Sequence, residues 1–215
     1  MEQKDFIEAA AKGTTAGLLA PVTDMLKQFV GYPLTELFGI AGDEIYFFRL
    51  KNQYKILLKA EKFISDMGID EPAKVPLKTI MPLLKDGSME ENETLQDKWA
   101  ALLANAVNPK YNHSYDSIFF DILSKLTTAE AILLDKLYEA YVYYDSMFIE
   151  VSNIQGIEDI EIEMILHRLV KLDLIDTTKG KRDTFITLQV VEDYEFALSF
   201  TPVGLEFIKR CRVEI

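Results

Sequence analysis

Apolar residues recur along the first two thirds of this chain at steps of three and four, the period of a helix with one buried side. Leu18/Leu19, Val22, Met25/Leu26 and Phe29/Val30 form the first such stripe, and Pro21, Pro33, Gly31, Gly39 and Gly42 predict that this region breaks into short helices. A longer pattern runs from Ile45 to Met67, where Phe47/Phe48, Leu50, Tyr54, Leu57/Leu58 and Phe63/Ile64 alternate with Arg49, Lys51, Lys55, Lys59 and Lys62. Gly68 stands where a helix C-cap glycine is expected. Residues 69–76 hold two prolines and predict an extended connector. A short helix over Leu77 to Leu84 is expected next, then a turn at Asp86-Gly87-Ser88. The following helix should run through Glu90, Glu91, Glu93, Leu95, Trp99, Leu102/Leu103 and Val107, with its acidic residues at the positive end of the helix dipole and Asn108-Pro109 as its stop.

Ser114 to Leu126 is helix-like again, with Ile118, Phe119, Ile122, Leu123 and Leu126 on one side. Thr127-Thr128-Ala129-Glu130 reads as an N-cap with a glutamate three residues inside it, opening a helix that reaches about Tyr144. A short helix near Ser152, a turn around Gly156, and a helix from about Asp159 to Leu172 come next. Leu174-Ile175, a basic loop Thr178-Lys179-Gly180-Lys181-Arg182, an alternating stretch from Phe185 to Phe200, and a last helix opened by Thr201-Pro202 complete the chain. Helix, helix-turn-helix, β-hairpin, helix is the winged-helix order. The expected fold is therefore mostly α: a helical N-terminal domain over residues 1–110 and a winged-helix-like C-terminal domain over 111–215. The boundary is placed near Asn108–Ser114, and Phe119 and Phe120 suit either core.

Composition and charge narrow the function classes. Over 215 residues, 49% are hydrophobic and 27% charged, too apolar for a disordered chain. The net charge is −12, and it is uneven: residues 1–110 carry 13 Lys+Arg against 16 Asp+Glu, leaving 10 against 19 for residues 111–215. The winged-helix half is thus the more acidic one. A DNA reader would carry cationic or amide side chains on the helix that enters the major groove. Here that helix offers Glu158, Asp159, Glu161 and Glu163, which would face phosphates and which make it a candidate protein-interaction surface. Lys179, Lys181 and Arg182 form a candidate basic wing, and a patch of this size more often keeps a loop solvated. The lysines of the 45–67 helix read the same way, as a solvated face, ahead of a surface for a lipid headgroup, nucleic acid or acidic partner.

No catalytic arrangement emerges. Of the two histidines, His113 stands in the connector beside Asn112 and Ser114 and His167 lies on a helix next to Arg168 with Glu163 one turn earlier, and both read as structural before catalytic. Cys211 is the single cysteine, so no intrachain disulfide or zinc cluster forms. Its neighbours Arg210 and Arg212 would favour a thiolate, but Phe207, Ile208 and Cys211 share a helical face that turns the thiol inward. Gly39-Ile-Ala-Gly42 is a lone small-residue spacing, and no phosphate loop or calcium loop is present. Neither a catalytic residue, a metal nor a cofactor is expected. The start Met1-Glu2-Gln3-Lys4-Asp5 lacks a signal-peptide pattern, which predicts a cytoplasmic protein.

The order of pieces, with Glu93-Thr-Leu-Gln-Asp-Lys-Trp-Ala-Ala-Leu-Leu-Ala-Asn-Ala106 and the ending Leu198-Ser-Phe-Thr-Pro-Val-Gly-Leu-Glu-Phe-Ile-Lys-Arg-Cys211, resembles the abortive infection alpha family. The resemblance implies a bacterial or prophage protein of anti-phage defence and carries no catalytic residues. Three readings stay open. The first is a non-enzymatic defence protein that binds a phage or host protein. The second is a membrane-perturbing effector that uses the helices of residues 6–48, and the third a winged-helix regulator that binds nucleic acid. The acidic charge disfavours nucleic acid, and the oligomeric state is left undetermined.

Overall fold

The computed structural model describes residues 15–30, 44–111, 116–144, 159–177, 186–189 and 195–213. The described chain is mostly helical with one small antiparallel sheet. Its contacts divide it into two compact units, Met1–Lys125 with Arg210–Ile215, and Leu126–Lys209.

The first unit is built on α2 (Glu44–Asp66), which packs against α1 (Thr15–Val30) and against α4 (Glu93–Ala106). Leu50, Tyr54, Leu57 and Ile64 follow one another at helical spacing and are all buried. Val22, Leu26 and Phe29 of α1 are buried too, so the amphipathic stripe seen in the sequence has its partner inside the fold. Gly68 ends α2 with φ +64°, while its amide donates to the Ser65 carbonyl and the Ile69 amide to that of Ile64. This is the Schellman pattern expected of a C-cap glycine. The connector that follows is extended. Its Ala73 amide donates to the Val107 carbonyl and its Val75 amide to Phe29, which ties the ends of α4 and α1 together.

The short helix α3 (Leu77–Lys85) leads into a 3-10 turn, Gly87–Met89. Here the structure corrects an expectation: α4 starts at Glu93, and Glu90 and Glu91 lie before it. The cause is local capping, because the Asn92 side chain accepts from the amides of Thr94 (3.0 Å) and Leu95 (3.3 Å). From Leu95 to Ala106 nearly every residue of α4 is buried, with Trp99 only 2% exposed. Helix α5 (Asp116–Leu123) lays Phe120 on the Trp99 ring, centroids 5.8 Å apart and planes 16° from parallel. Phe120 thus packs within the first unit, whose contacts extend to Lys125. Ile118, expected on the apolar side, is 47% exposed.

The second unit begins with α6 (Thr128–Tyr144). Thr127 and Glu130 form the expected reciprocal cap, the Glu130 carboxylate accepting from the Thr127 amide at 2.7 Å and the Thr127 hydroxyl accepting from the Glu130 amide at 3.3 Å. The helix near Ser152 and the turn at Gly156 lie outside the described residues. Helix α7 (Asp159–Lys171) ends in a second Schellman pattern with Asp173 at φ +57°, and the chain enters β1 (Ile175–Thr177) two residues later. Strands β2 (Ile186–Gln189) and β3 (Glu195–Phe200) complete an antiparallel sheet of order β1-β3-β2, with Ile175 opposite Phe200 and Ile186 opposite Leu198. Thr201 then caps α8 (Pro202–Arg210): its hydroxyl accepts from the Gly204 amide at 2.8 Å, and its own amide donates to the Leu174 carbonyl at 3.2 Å.

Candidate functional site

Helix α7 divides cleanly between inside and outside. Ile162, Ile165, Leu166 and Leu169 are buried, and this 3-1-3 spacing fixes which residues must face out. Glu161, Glu163, Met164, His167 and Lys171 are exposed. Two of the four acidic candidates, Glu161 and Glu163, are thus exposed, two residues apart and so on opposite flanks of the outer side of the helix. Glu158 lies outside the described residues; Asp159 opens the helix, and its side chain is not described. The basic wing candidates Lys179, Lys181 and Arg182 also lie outside the described residues.

One ion pair ties α7 to α6. Arg168, half exposed, places its guanidinium on Glu130 of α6, with Nε toward Oε1 and Nη2 3.4 Å from Oε2. Glu130 is 1% exposed, so a carboxylate that caps its own helix also takes a charge from the next one. Sequence reasoning found the cap but assigned Arg168 no partner. It also passed over Met164, the most exposed large apolar residue described, at 65%. The signal was present: 164 falls off the stripe 162/165/166/169, so a methionine there has no place in the core.

Other clusters of polar groups are consumed by the scaffold. Arg49 donates to Ser88 Oγ (2.9 Å) and to the Leu84 carbonyl (3.1 Å), Asn52 to the Ser88 carbonyl (3.1 Å), and Gln53 to the Leu84 carbonyl (2.9 Å). Ser88 Oγ donates in turn to the Lys85 carbonyl, so no base stands ready to activate it. These side chains of α2 grip the 3-10 turn whose Gly87 lies against Trp99, where a Cβ would meet the ring at 3.1 Å. At the chain's end, Asn105 Nδ2 donates to the carbonyls of Arg210 and Arg212, both at 2.9 Å. The buried Arg210 guanidinium sits 3.8 Å from the centre of the Tyr111 ring and 3.4 Å from Asp116. Cys211 is buried, which agrees with an inward-packed thiol.

The basic face of α2 is partly neutralised within the unit. Lys55 and Lys59 reach Glu93, and Lys59 also reaches Asp97 one turn along α4 at 2.7 Å. Burial lowers the Lys59 pKa, but hydrogen bonds to Asp97 and Glu93 outweigh it and leave the ammonium above its ordinary range. Lys59 and then Lys55 hold the Glu93 carboxyl below the usual carboxylate range. Among the described residues no group of three or more His, Cys, Asp or Glu is arranged to hold a metal ion. None of the described helices is long and apolar enough to cross a membrane.

The family model of abortive infection alpha matches residues 51–211, most of the chain and all of α3 to β3. The chain belongs to the abortive infection alpha family. No curated protein and no solved structure matches it. Membership implies a part in abortive infection, a defence against phage. The two segments that carried the resemblance are both scaffold: 93–106 is α4, buried almost throughout from Leu95 onward, and 198–211 holds the Thr201 cap and the Asn105-bound tail.

Proposed function

We propose that this abortive infection alpha protein acts by contact with a protein of the phage or the host, without catalysis, and that its second unit is a winged-helix module turned to protein instead of DNA. The order α6, α7, β1, β2, β3, α8 and the sheet order β1-β3-β2 support the fold reading. The outer face of α7 carries the functional one. On a DNA-reading winged helix α7 would enter the major groove. Glu161 and Glu163 would then approach phosphates, and each unit-charge repulsion costs about 1 kcal/mol at about 4 Å even in water. An exposed methionine between two carboxylates suits a protein surface, where a flexible thioether adapts to an apolar partner.

Phage challenge of cells that carry the protein or its Glu161→Lys/Glu163→Lys variant tests the reading. Protection should fall in the variant while its circular dichroism stays native; full protection would refute a role for this face. A titration of duplex DNA across salt concentrations should show no binding at low salt, since phosphate contacts would appear there first. Because the apolar stripe of α1 is buried against α2, the purified protein should also leave liposomes intact.

A further inference from the structure

Arg210 is the last residue of α8, yet its contacts place it in the first unit: Arg210–Ile215 group with Met1–Lys125, and Leu126–Lys209 lies between the two stretches in sequence. The first unit is thus completed by residues that follow the second. Asn105, buried near the end of α4, donates its Nδ2 to the carbonyls of Arg210 and Arg212, both at 2.9 Å. The last carbonyls of a helix have no partner within it, so this amide serves as a cap that α8 does not carry itself. The buried guanidinium of Arg210 lies 3.8 Å from the centre of the Tyr111 ring and 3.4 Å from the buried Asp116 carboxylate of α5. An amide from α4, a carboxylate from α5 and an aromatic face from the stretch that joins them all close on residues 210–212.

We infer that Arg210–Arg212 is a strap that clamps α4 to α5 and makes the stability of the first unit depend on the folded state of the second. The carbonyl and the guanidinium of Arg210 are presented to their seat together only while α8 is helical to its end. With Leu126–Lys209 unfolded, the strap hangs on a long flexible loop instead of a formed helix, and its effective concentration at the seat falls. An emptied seat leaves the Asp116 carboxylate buried and stripped of this cation, a strongly destabilising state. The first unit then loosens at α4 and α5, the helices that carry Asn105 and Asp116. Whatever alters the second unit, a bound partner included, thereby has a route to the first.

Urea unfolding of the full chain, read by the fluorescence of Trp99, tests this. That single tryptophan lies on α4 and stacks on Phe120 of α5, the two helices that form the seat. The perturbation is placed in the second unit: Arg168→Ala, which takes the guanidinium from the buried Glu130 carboxylate. In the otherwise wild-type chain it should lower the Trp99 midpoint by about 1 M urea. In an Asn105→Ala chain, whose strap has lost both backbone hydrogen bonds, the same substitution should lower that midpoint by about 0.5 M or less. Arg210→Gln/Asp116→Asn removes both charges of the buried pair at once and serves as a second loosened background, with the same expectation, where Asn105→Ala fails to fold. A Trp99 midpoint that ignores Arg168→Ala in the wild-type background overturns the inference, because the first unit then does not feel the second. Equal shifts in the wild-type and loosened backgrounds overturn it as well, because the coupling then takes another route.

Discussion

Gly204 offers a test in which local propensity and tertiary packing predict opposite signs. It lies in the first turn of α8, and helix propensity alone says that Gly204→Ala should stabilise the protein by up to about 1 kcal/mol. The structure says otherwise. A Cβ at 204 would lie 1.8 Å from the Leu174 carbonyl oxygen and 2.6 Å from its carbon, backbone atoms that cannot swing aside like the tip of a flexible side chain. Leu174 is held there by the Thr201 amide, which donates to the same carbonyl at 3.2 Å, and by the bond from the Thr201 hydroxyl to the Asp173 carbonyl. To admit the methyl, α8 must retreat by more than about 1 Å. Overpacking of this kind costs about 1–3 kcal/mol or more, and the lost backbone hydrogen bond adds about 1 kcal/mol. After the propensity gain, a net loss of about 1–3 kcal/mol remains.

Urea unfolding followed by far-UV circular dichroism measures it, and hydrogen exchange along α8 localises it to the second unit. Gly68→Ala is the internal comparison. Gly68 sits at φ +64° with nothing within 4 Å of a Cβ, so only the left-handed backbone opposes the alanine, at about 1–2 kcal/mol. A Gly204→Ala protein as stable as the wild type would refute the close-approach account of the junction between β1 and α8.

Three further outcomes follow from the same geometry. Arg168→Ala strips the charge from a carboxylate that is 1% exposed and should cost about 3 kcal/mol in urea unfolding; Glu130→Gln keeps an acceptor for the Thr127 amide and should cost about half as much, and the reverse order would contradict the pairing. Trp99→Ala should lose about 3–5 kcal/mol and Trp99→Phe clearly less, and because Trp99 is the single tryptophan, its fluorescence in the wild type reports the first unit alone. Glu93, held below its ordinary 4.5 by Lys59 and Lys55, stabilises the fold above that pH and loses this contribution as pH falls through its folded value. With the side chain 65% exposed, the contribution should be a few tenths of a kcal/mol, read as the difference between wild type and Glu93→Gln at pH 6 that shrinks as the pH is lowered below 4.5.

What the sequence made legible was local. Gly68, the Thr127/Glu130 cap and the Thr201-Pro202 start each act on backbone groups within a few residues, so their meaning can be read without knowing the fold. The α7 stripe was legible for the same reason, and with it the exposure of Glu161 and Glu163. Groups whose partners are distant were not: Lys59 with Asp97, Glu130 with Arg168, and Asp116 with Arg210, the last 94 residues apart. The start of α4 was misjudged because Glu90 and Glu91 suit a helix as well as Glu93 does, and only the capping geometry of Asn92 decides among them. Ile118 was assigned inward by periodicity, but α5 is two turns long, and Phe119, Phe120, Ile122 and Leu123 already fill its packed side.

The distribution of polar groups ties fold to function. In the first unit the buried polar side chains are spent on the chain itself: Asn52, Gln53 and Gln96 on carbonyls between 84 and 90, Asn105 on the carbonyls of the returning tail, Asp116 on Arg210. A buried ion pair such as Asp116–Arg210 adds little stability over an apolar pair of the same volume, but it tolerates few alternatives, and so it selects which stretch of chain is seated there. Polar chemistry used in that way holds the chain to itself. The free charges of α7 are the opposite case. Glu161, Glu163 and Lys171 are exposed, turned outward by the buried stripe of the helix, and form no ion pair with another described residue. On the proposed reading, that exposed helix surface is where another protein would make contact.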